Sequence, residues 1–196
     1  MQENFVETAL ATQFGNLNIR VYPDAQGKET IALYTETLDP SSPVLVRIHS
    51  ECITGDTFGS LHCDCGEQLN RSLEIINKNS NGVLIYLRQE GRGIGLFEKI
   101  KSYQLQHEGH DTFEANILLG HEPDSRTYEN AKMVLQDLGI NRIRLLTNSP
   151  SKVAEMEKLG IEVAERIPLI VTPNKHNARY LDTKRDKFKH YLGNSE

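Results

Sequence analysis

Three cysteines lie within fourteen residues of this chain, and the sequence contains no others: Cys52, Cys63 and Cys65. Thiolates are good zinc ligands, and three of them leave one tetrahedral position open for water. An odd number of thiols cannot pair completely in disulfides, so the cluster indicates metal binding or catalysis. Two alternatives stay open. His49 or His62 could complete a closed structural zinc site, or the thiols could be inert residues of the core.

A glycine-rich stretch over residues 89–95 follows one apolar run and precedes another. Glycines let backbone N–H groups approach a phosphate, and the helix N-terminus that follows favours an anion. Arg92 adds a forked cation that suits phosphate oxygens. Glu90 could hold a metal or a purine N–H edge, or could be solvated. The spacing matches neither the Walker loop nor the dinucleotide fingerprint, so a plain tight turn is the alternative.

Two further polar segments end close to predicted helices. Asp124 and Arg126 lie in a loop just before a predicted helix and could have a functional role there, although Asp124 or Ser125 could instead cap that helix. The segment 147–152 follows an apolar run and could grip a ligand, with Lys152 on a phosphate. The alternative for this second segment is a helix cap with proline in the first turn.

Alternating apolar runs and helical spacings describe the elements that would position these residues. Strands are predicted over 14–22, 30–38, 44–48, 83–87 and 143–146, with an extended segment over 161–171. Helices are predicted from 65 to about 79, from 96 with Leu96, Ile100 and Tyr103 on one face, over 128–138, from 150, and as a charged surface helix over 178–192.

This alternation predicts an α/β fold in one domain over residues 1–196. The sheet should be mixed and largely parallel, flanked by helices, with an antiparallel N-terminal portion. Binding sites form in the loops that follow such parallel strands.

The bulk composition excludes several classes of function. The net charge of −5 and the pI of about 5.8 argue against broad nucleic-acid binding. No apolar run reaches the roughly 18 residues of a membrane helix. The N-terminus lacks the basic start and apolar stretch of a signal peptide, so we expect a cytoplasmic protein with reduced thiols and no membrane partner.

Together these segments resemble GTP cyclohydrolase II, the first enzyme of riboflavin synthesis. The resemblance is carried by residues 47–56, 60–66, 88–96, 111–116, 144–148, 168–170 and 180–184. It covers nearly the whole chain, so we expect the stand-alone enzyme rather than its fusion to a butanone-phosphate synthase domain. Two departures are His62, where an arginine is common, and Ser125, where an acidic residue is common.

The resemblance implies a reaction in which GTP loses carbon 8 as formate and its outer phosphates as pyrophosphate, leaving a diaminopyrimidinone that carries ribose 5-phosphate. Cys52, Cys63 and Cys65 would hold one zinc ion, which would lower the pKa of the water that attacks carbon 8. Arg126 would act at the α-phosphate, either as a nucleophile with Asp124 as proton acceptor or as an electrostatic stabiliser of the departing pyrophosphate. Tyr103 would lie beside the guanine.

The resemblance also implies GTP contacts, Mg²⁺ on the triphosphate and a homodimer. The contacts would come from Arg47, Ile48, His49, Ser50, Glu51, Gln68, Glu90, Gly91, Arg92, Thr112, Thr147 and Lys152. The alternative is a GTP-binding zinc paralogue that stops at the formamide or does not catalyse.

Overall fold

One seven-stranded sheet organises the chain in the computed structural model, which describes residues 5–24 and 27–192. The strands are β1 (Val6–Thr12), β2 (Gly15–Pro23), β3 (Glu29–Tyr34), β4 (Val44–Ser50), β5 (Gly82–Leu87), β6 (Arg142–Leu146) and β7 (Glu162–Ile167). The helices are α1 (Ile53–Asp56), α2 (Cys65–Asn79), α3 (Leu96–His107), α4 (Thr112–Leu118), α5 (Glu129–Asp137), α6 (Pro150–Lys158) and α7 (Ala178–Asp186).

The sheet is mixed, as predicted, and its strands lie in the order β1-β2-β3-β5-β4-β6-β7. The pairs β1–β2, β2–β3 and β3–β5 are antiparallel, whereas β5–β4, β4–β6 and β6–β7 are parallel. The antiparallel N-terminal portion is therefore confirmed. Strand β1 was not predicted, because its side chains are exposed on both faces and show no apolar alternation.

Apolar side chains cover both faces of the sheet. Along β4, Val46 and Ile48 belong to one core cluster and Leu45 to the other, as the two-residue period of a strand requires. Leu135 of α5 packs on the first face and Ile76 of α2 on the second. Helices thus flank both faces of the parallel half, as predicted for an α/β fold.

Most predicted helices are present, with shifted ends. Helix α2 ends at Asn79, where Ser80 turns left-handed at φ 58°, and the C-terminal helix ends at Asp186 rather than at residue 192. The short helices α1 and α4 were not predicted. Across residues 5–24 and 27–192, no helix combines the length and apolar character that crossing a bilayer requires.

Helix α3 buries a polar face. Leu96 and Ile100, whose spacing predicts an apolar side, are 41% and 43% exposed, while Lys99 and Ser102 point inward. The physical reason is that α3 packs beside a polar cleft rather than on the apolar core, so side chains that can hydrogen-bond face inward.

The parallel strands bring three loops to one edge of the sheet. Strand β5 lies on one side of β4, and β6, which comes later in the chain, lies on the other side. Crevices form where connections diverge in this way, outside the carboxyl ends of the strands. The loops that follow Ser50, Leu87 and Leu146 meet there, and they contain the candidate residues Glu51, Cys52, Glu90, Gly91, Arg92 and Thr147.

Candidate active site

A cleft of about 1010 Å³ opens at this edge of the sheet. It is lined by the three cysteines, by Tyr103 and Arg126, and by every predicted GTP-contact residue except Ile48. Ile48 is buried in the core, and only its carbonyl oxygen faces this region, where it accepts a 2.7 Å hydrogen bond from Lys152 Nζ. Asp124 does not line the cleft and instead pairs with Arg126.

The three thiols form a compact group. Their sulfur atoms lie within 4.8 Å of one another, and Cys52 Sγ is 3.6 Å from Cys63 Sγ. Tetrahedral zinc with Zn–S bonds of about 2.3 Å places its sulfurs roughly 3.8 Å apart, so the group fits zinc. A Cβ added at Gly66 would lie 2.3 Å from the Gly55 carbonyl oxygen. Only a glycine allows α1 and α2 to approach this closely and bring the cysteines together.

A fourth protein ligand is not present among residues 5–24 and 27–192. Neither candidate histidine joins the group of ligand atoms. His49 Nε2 lies 3.1 Å from both carboxylate oxygens of Asp56, and burial lowers the pKa of His49. The His62 ring instead faces Tyr103. This geometry favours an open site over the closed alternative. The thiols also line the cleft, which argues against inert core residues.

Contacts among the three thiols shift their pKa values in opposite directions. Hydrogen bonds from Cys63 and Cys65 to the Cys52 sulfur lower the pKa of Cys52, and the Lys99 ammonium adds to this. The same bonds raise the pKa of Cys63 to about 11 and that of Cys65 well above its ordinary value. Thiolate character at Cys52 suits a metal ligand.

Lys99 connects the cysteines to the glycine-rich loop. Its Nζ lies 3.1 Å from Cys52 Sγ, 2.9 Å from Thr54 Oγ1 and 2.8 Å from Glu90 Oε1. Glu90 Oε2 accepts a 2.6 Å hydrogen bond from the backbone N–H of Ile53. Glu90 is therefore buried and engaged rather than solvated. Sequence reasoning missed Lys99, although it lies one helical turn before Tyr103.

The glycine-rich loop is a tight turn that supports the Asp124–Arg126 segment. Arg92 adopts left-handed backbone angles, and the Ser125 N–H donates to the Arg92 carbonyl oxygen at 3.0 Å. At Gly93, φ is 96°, and an added Cβ would lie 2.9 Å from the Ser125 carbonyl oxygen. The Arg92 guanidinium stacks 3.6 Å from the centre of the Phe188 ring.

Asp124 and Arg126 form a two-pronged ion pair. Arg126 Nε donates to one Asp124 oxygen at 2.8 Å, and Nη2 donates to the other. Burial alone would raise the pKa of Asp124, but the hydrogen bonds and charge of Arg126 lower it overall. Burial acts to lower the pKa of Arg126, but Tyr128 and Asp124 outweigh burial and raise it. Since α5 begins at Glu129 after the N-cap Tyr128, Asp124 is not a helix cap.

Three cations of the cleft have no carboxylate partner within the described ranges: Arg47, Arg92 and Lys152. Arg47 donates to Gln68 Oε1 at 2.7 Å and to the Leu146 carbonyl oxygen, but its buried Nε has no partner. Arg92 also has a buried, unpartnered nitrogen. Unpaired buried cations are costly, so this wall of the cleft is suited to a polyanion.

Burial shapes the charge on this wall. It lowers the pKa of Arg47 to about 10, which still leaves the guanidinium protonated at neutral pH. It lowers the pKa of Lys152 well below its ordinary value, and the charges of Arg47 and Arg126 lower it further. Ser149 caps α6 ahead of Pro150, so the helix-cap interpretation of residues 147–152 holds together with the cleft-lining one.

The C-terminal helix contributes to the site rather than lying on the surface as predicted. Lys184 is buried and forms an ion pair with Asp64, the residue between Cys63 and Cys65. The Asp64 carboxylate, which is also buried, balances the charge of the Lys184 ammonium. The family resemblance over residues 180–184 was the one sequence signal that could have placed this helix at the site. Asn148 and Ser149, of the segment 147–152 that was predicted to grip a ligand, also line the cleft. Other lining residues that the sequence analysis did not single out are Ile94, Ser102, Gln106, Asn116, Tyr180 and His190.

Comparison with known proteins gives close relatives of this chain. It is 48% identical over 193 residues to GTP cyclohydrolase-2 of Acinetobacter baylyi, covering 97% of this chain and 96% of that protein. The corresponding protein of Acinetobacter baumannii is 47% identical over 194 residues, with the same coverage. The riboflavin biosynthesis protein RibBA of Phocaeicola vulgatus is 47% identical over 191 residues, and this chain spans 47% of its length.

The chain therefore spans about half the length of the RibBA relatives and nearly all of the Acinetobacter ones. The family model described as GTP cyclohydrolase II matches residues 3–168. That stretch contains the thiol group, the glycine-rich loop and the three cations that have no carboxylate partner. With this match and these identities, the chain belongs to the GTP cyclohydrolase II family.

Proposed function

We propose that this chain hydrolyses GTP to formate, pyrophosphate and a diaminopyrimidinone that carries ribose 5-phosphate, the first step of riboflavin biosynthesis. One observation supports it above the others: three clustered thiols and three cations without carboxylate partners line the same cleft. A metal-assisted hydrolysis and a polyanion site in one cleft are what ring opening of a nucleoside triphosphate requires. The name of the Acinetobacter baylyi relative, GTP cyclohydrolase-2, agrees with this reaction.

One zinc ion would be held by Cys52, Cys63 and Cys65, and the enzyme would be zinc-dependent. When bound, Zn²⁺ supplies a Lewis acid and lowers the pKa of water to near neutrality. Lys99 keeps negative charge on the Cys52 sulfur from 3.1 Å. Tyr103, whose pKa is raised by burial, stays protonated and provides an aromatic wall for the guanine.

The purine and ribose would be oriented by the loops after β4 and β5 and by α4. His49, Ser50, Glu51 and Gly91 line this part of the cleft together with Thr112. His49 is held neutral beside Asp56, and Gln89 donates a 2.9 Å hydrogen bond to Ser50 Oγ. Held side chains of this kind fix the substrate before reaction and so reduce the entropy cost of reaching the reactive geometry.

The triphosphate, with Mg²⁺, would lie against the three cations that have no carboxylate partner. Arg47, Arg92 and Lys152 would hold its oxygens, with Gln68 fixing Arg47 and Thr147 completing the wall. Arg126 would stabilise the charge that develops at the α-phosphate as pyrophosphate departs. Its two hydrogen bonds to Asp124 hold it protonated, which favours this role over a nucleophilic one, since a protonated guanidinium has no lone pair to offer.

The chain would act as a homodimer in a reducing cytoplasm, where the thiols stay available for metal. Helices α3 and α4 expose apolar side chains that a second copy would cover, namely Leu96, Phe97, Ile100, Ile117 and Leu118. Light scattering at working concentration tests this part of the proposal. A stable monomer would refute it.

The reaction is tested by incubating the full chain with GTP, Mg²⁺ and Zn²⁺ and measuring formate and pyrophosphate together. Equal amounts of both support the proposal. Pyrophosphate without formate would identify a paralogue that stops at the formamide, and release of neither would identify a non-catalytic GTP-binding protein. ATP, which lacks the guanine 2-amino and 6-oxo groups, serves as the matched control substrate and should release neither product.

A further inference from the structure

A second pocket, of about 560 Å³, lies beside the cleft and is rich in histidine. Four of the seven histidines of the chain line it: His62, His107, His110 and His176. The two pockets share a wall made of Tyr103, Gln106, Thr112 and Tyr180. No step of the proposed reaction uses these histidines.

The His62 ring lies near two other imidazole rings, although the three residues come from distant segments. The His62 ring centre is 6.0 Å from that of His107 and 6.4 Å from that of His176. His62 precedes α2, His107 ends α3, and His176 lies in the turn before α7. Neither helical nor strand periodicity brings such residues together, so their meeting is a property of the tertiary structure.

The ring nitrogens of these three residues are uncommitted. Within residues 5–24 and 27–192, no hydrogen bond or ion pair engages the side chain of His62, His107 or His176. By contrast, His49 pairs with Asp56, and His121 pairs with Glu98 at 3.2 Å. All three rings of the cluster are exposed, so water and ions reach their nitrogens.

We propose that His62, His107 and His176 form a second metal site, which takes a divalent transition-metal ion such as Ni²⁺, Cu²⁺ or Zn²⁺. Neutral imidazole nitrogens suit these ions, whereas Mg²⁺ and Ca²⁺ prefer oxygen ligands. Two imidazoles that share a tetrahedral ion at about 2.0–2.1 Å per bond have ring centres roughly 5 Å apart. The two separations from His62 exceed this by about 1 Å, and the nitrogens of the three rings do not all lie within 4.8 Å of one another as the thiols do. Metal binding therefore requires these exposed side chains to rotate about their own bonds.

The site lies next to the thiol group but is chemically distinct from it. Cys63 follows His62 directly, yet the imidazoles are absent from the group of ligand atoms around the thiols. The soft thiolates favour zinc, and the imidazole cluster accepts nickel and copper as well. Binding at the histidines does not depend on the proposed reaction, so the test needs no catalytic readout.

The test uses the untagged full chain, first loaded with one equivalent of Zn²⁺ and freed of excess metal. Calorimetric titration with Ni²⁺ should show one further ion per chain. His62→Gln, His107→Gln and His176→Gln should each weaken Ni²⁺ binding at least ~10-fold, since even losing an outer-shell partner costs that much. His121→Gln, at a histidine outside the cluster, should leave binding unchanged. Bound Cu²⁺ should show nitrogen hyperfine splitting that these three variants reduce.

Three results would overturn the proposal. The first is the absence of Ni²⁺ binding to the zinc-loaded chain. The second is binding that survives all three variants or is lost equally in His121→Gln. The third is Ni²⁺ uptake matched by release of Zn²⁺, because that would place the nickel at the thiols.

Discussion

Replacing Arg126 with alanine tests whether this residue acts in the chemical step. Its guanidinium is fixed by two hydrogen bonds to Asp124 at the cleft wall, where the side chain is half-buried, so its charge is in place before the reaction. Removing a preorganised donor of this kind typically costs about 2.7–4 kcal/mol of transition-state stabilisation. We therefore expect kcat to fall about 10²–10³-fold, with little change in KM.

Lys152 provides the contrast. Its ammonium donates to the Ile48 carbonyl oxygen at 2.7 Å and lies among other cations, a position that suits ground-state binding of phosphate. Lys152→Met keeps the length of the side chain and should mainly raise KM, the sign of uniform binding. Arg142→Ala is the matched control, because Arg142 forms an exposed ion pair with Glu162 far from the cleft and should change neither constant.

Steady-state kinetics of pyrophosphate release, at several GTP concentrations, gives both constants for each variant. Asp124→Asn adds a further comparison. It keeps the shape of the side chain but removes the charge that fixes Arg126, so kcat should fall less than in Arg126→Ala. The reasoning is wrong if Arg126→Ala raises only KM and leaves kcat intact.

Three other predictions follow from the same contacts. Triphosphate binding should raise the pKa of Lys152, which burial lowers in the unliganded protein. At pH values between the free and bound pKa values, GTP binding should therefore take up a proton, and it should weaken as pH rises through that window. Calorimetry in buffers of different ionisation enthalpy would show this, and unchanged proton uptake in Lys152→Met would contradict it. Lys99→Met should weaken zinc binding about 10–100-fold in chelator competition, because Lys99 hydrogen-bonds the Cys52 sulfur, and an affinity equal to wild type would exclude that role. Cys63→Ser should abolish formate release; formate release that persists would remove the thiols from the chemistry.

The loops of the site could be predicted from the sequence because buried parallel strands have a recognisable sequence pattern. Val44 to Ile48 and Val83 to Leu87 are continuous apolar runs, as strands buried on both faces must be. The polar segments that follow such strands necessarily meet at one edge of the sheet. The predicted contact residues at the ends of these strands and directly after them therefore line one cleft, with the exception of Ile48.

The supporting contacts could not be predicted in this way. Asp64 and Lys184 form an ion pair across 120 positions, and no local spacing rule joins residues so far apart. Lys99 was missed because hydrophobic patterns assume an apolar interior, whereas the buried side of α3 faces a polar cleft. Strand β1 is exposed on both faces and so carries no pattern at all.

The central claim is that the thiol group and the cation-lined wall act on one GTP molecule through one zinc ion per chain. The most direct measurement removes metal with a chelator, restores Zn²⁺ in steps and follows formate release with Mg²⁺ and GTP in excess. The account predicts that the rate rises in proportion to zinc and stops rising at one ion per chain. Full activity in protein shown by elemental analysis to be free of zinc would contradict it.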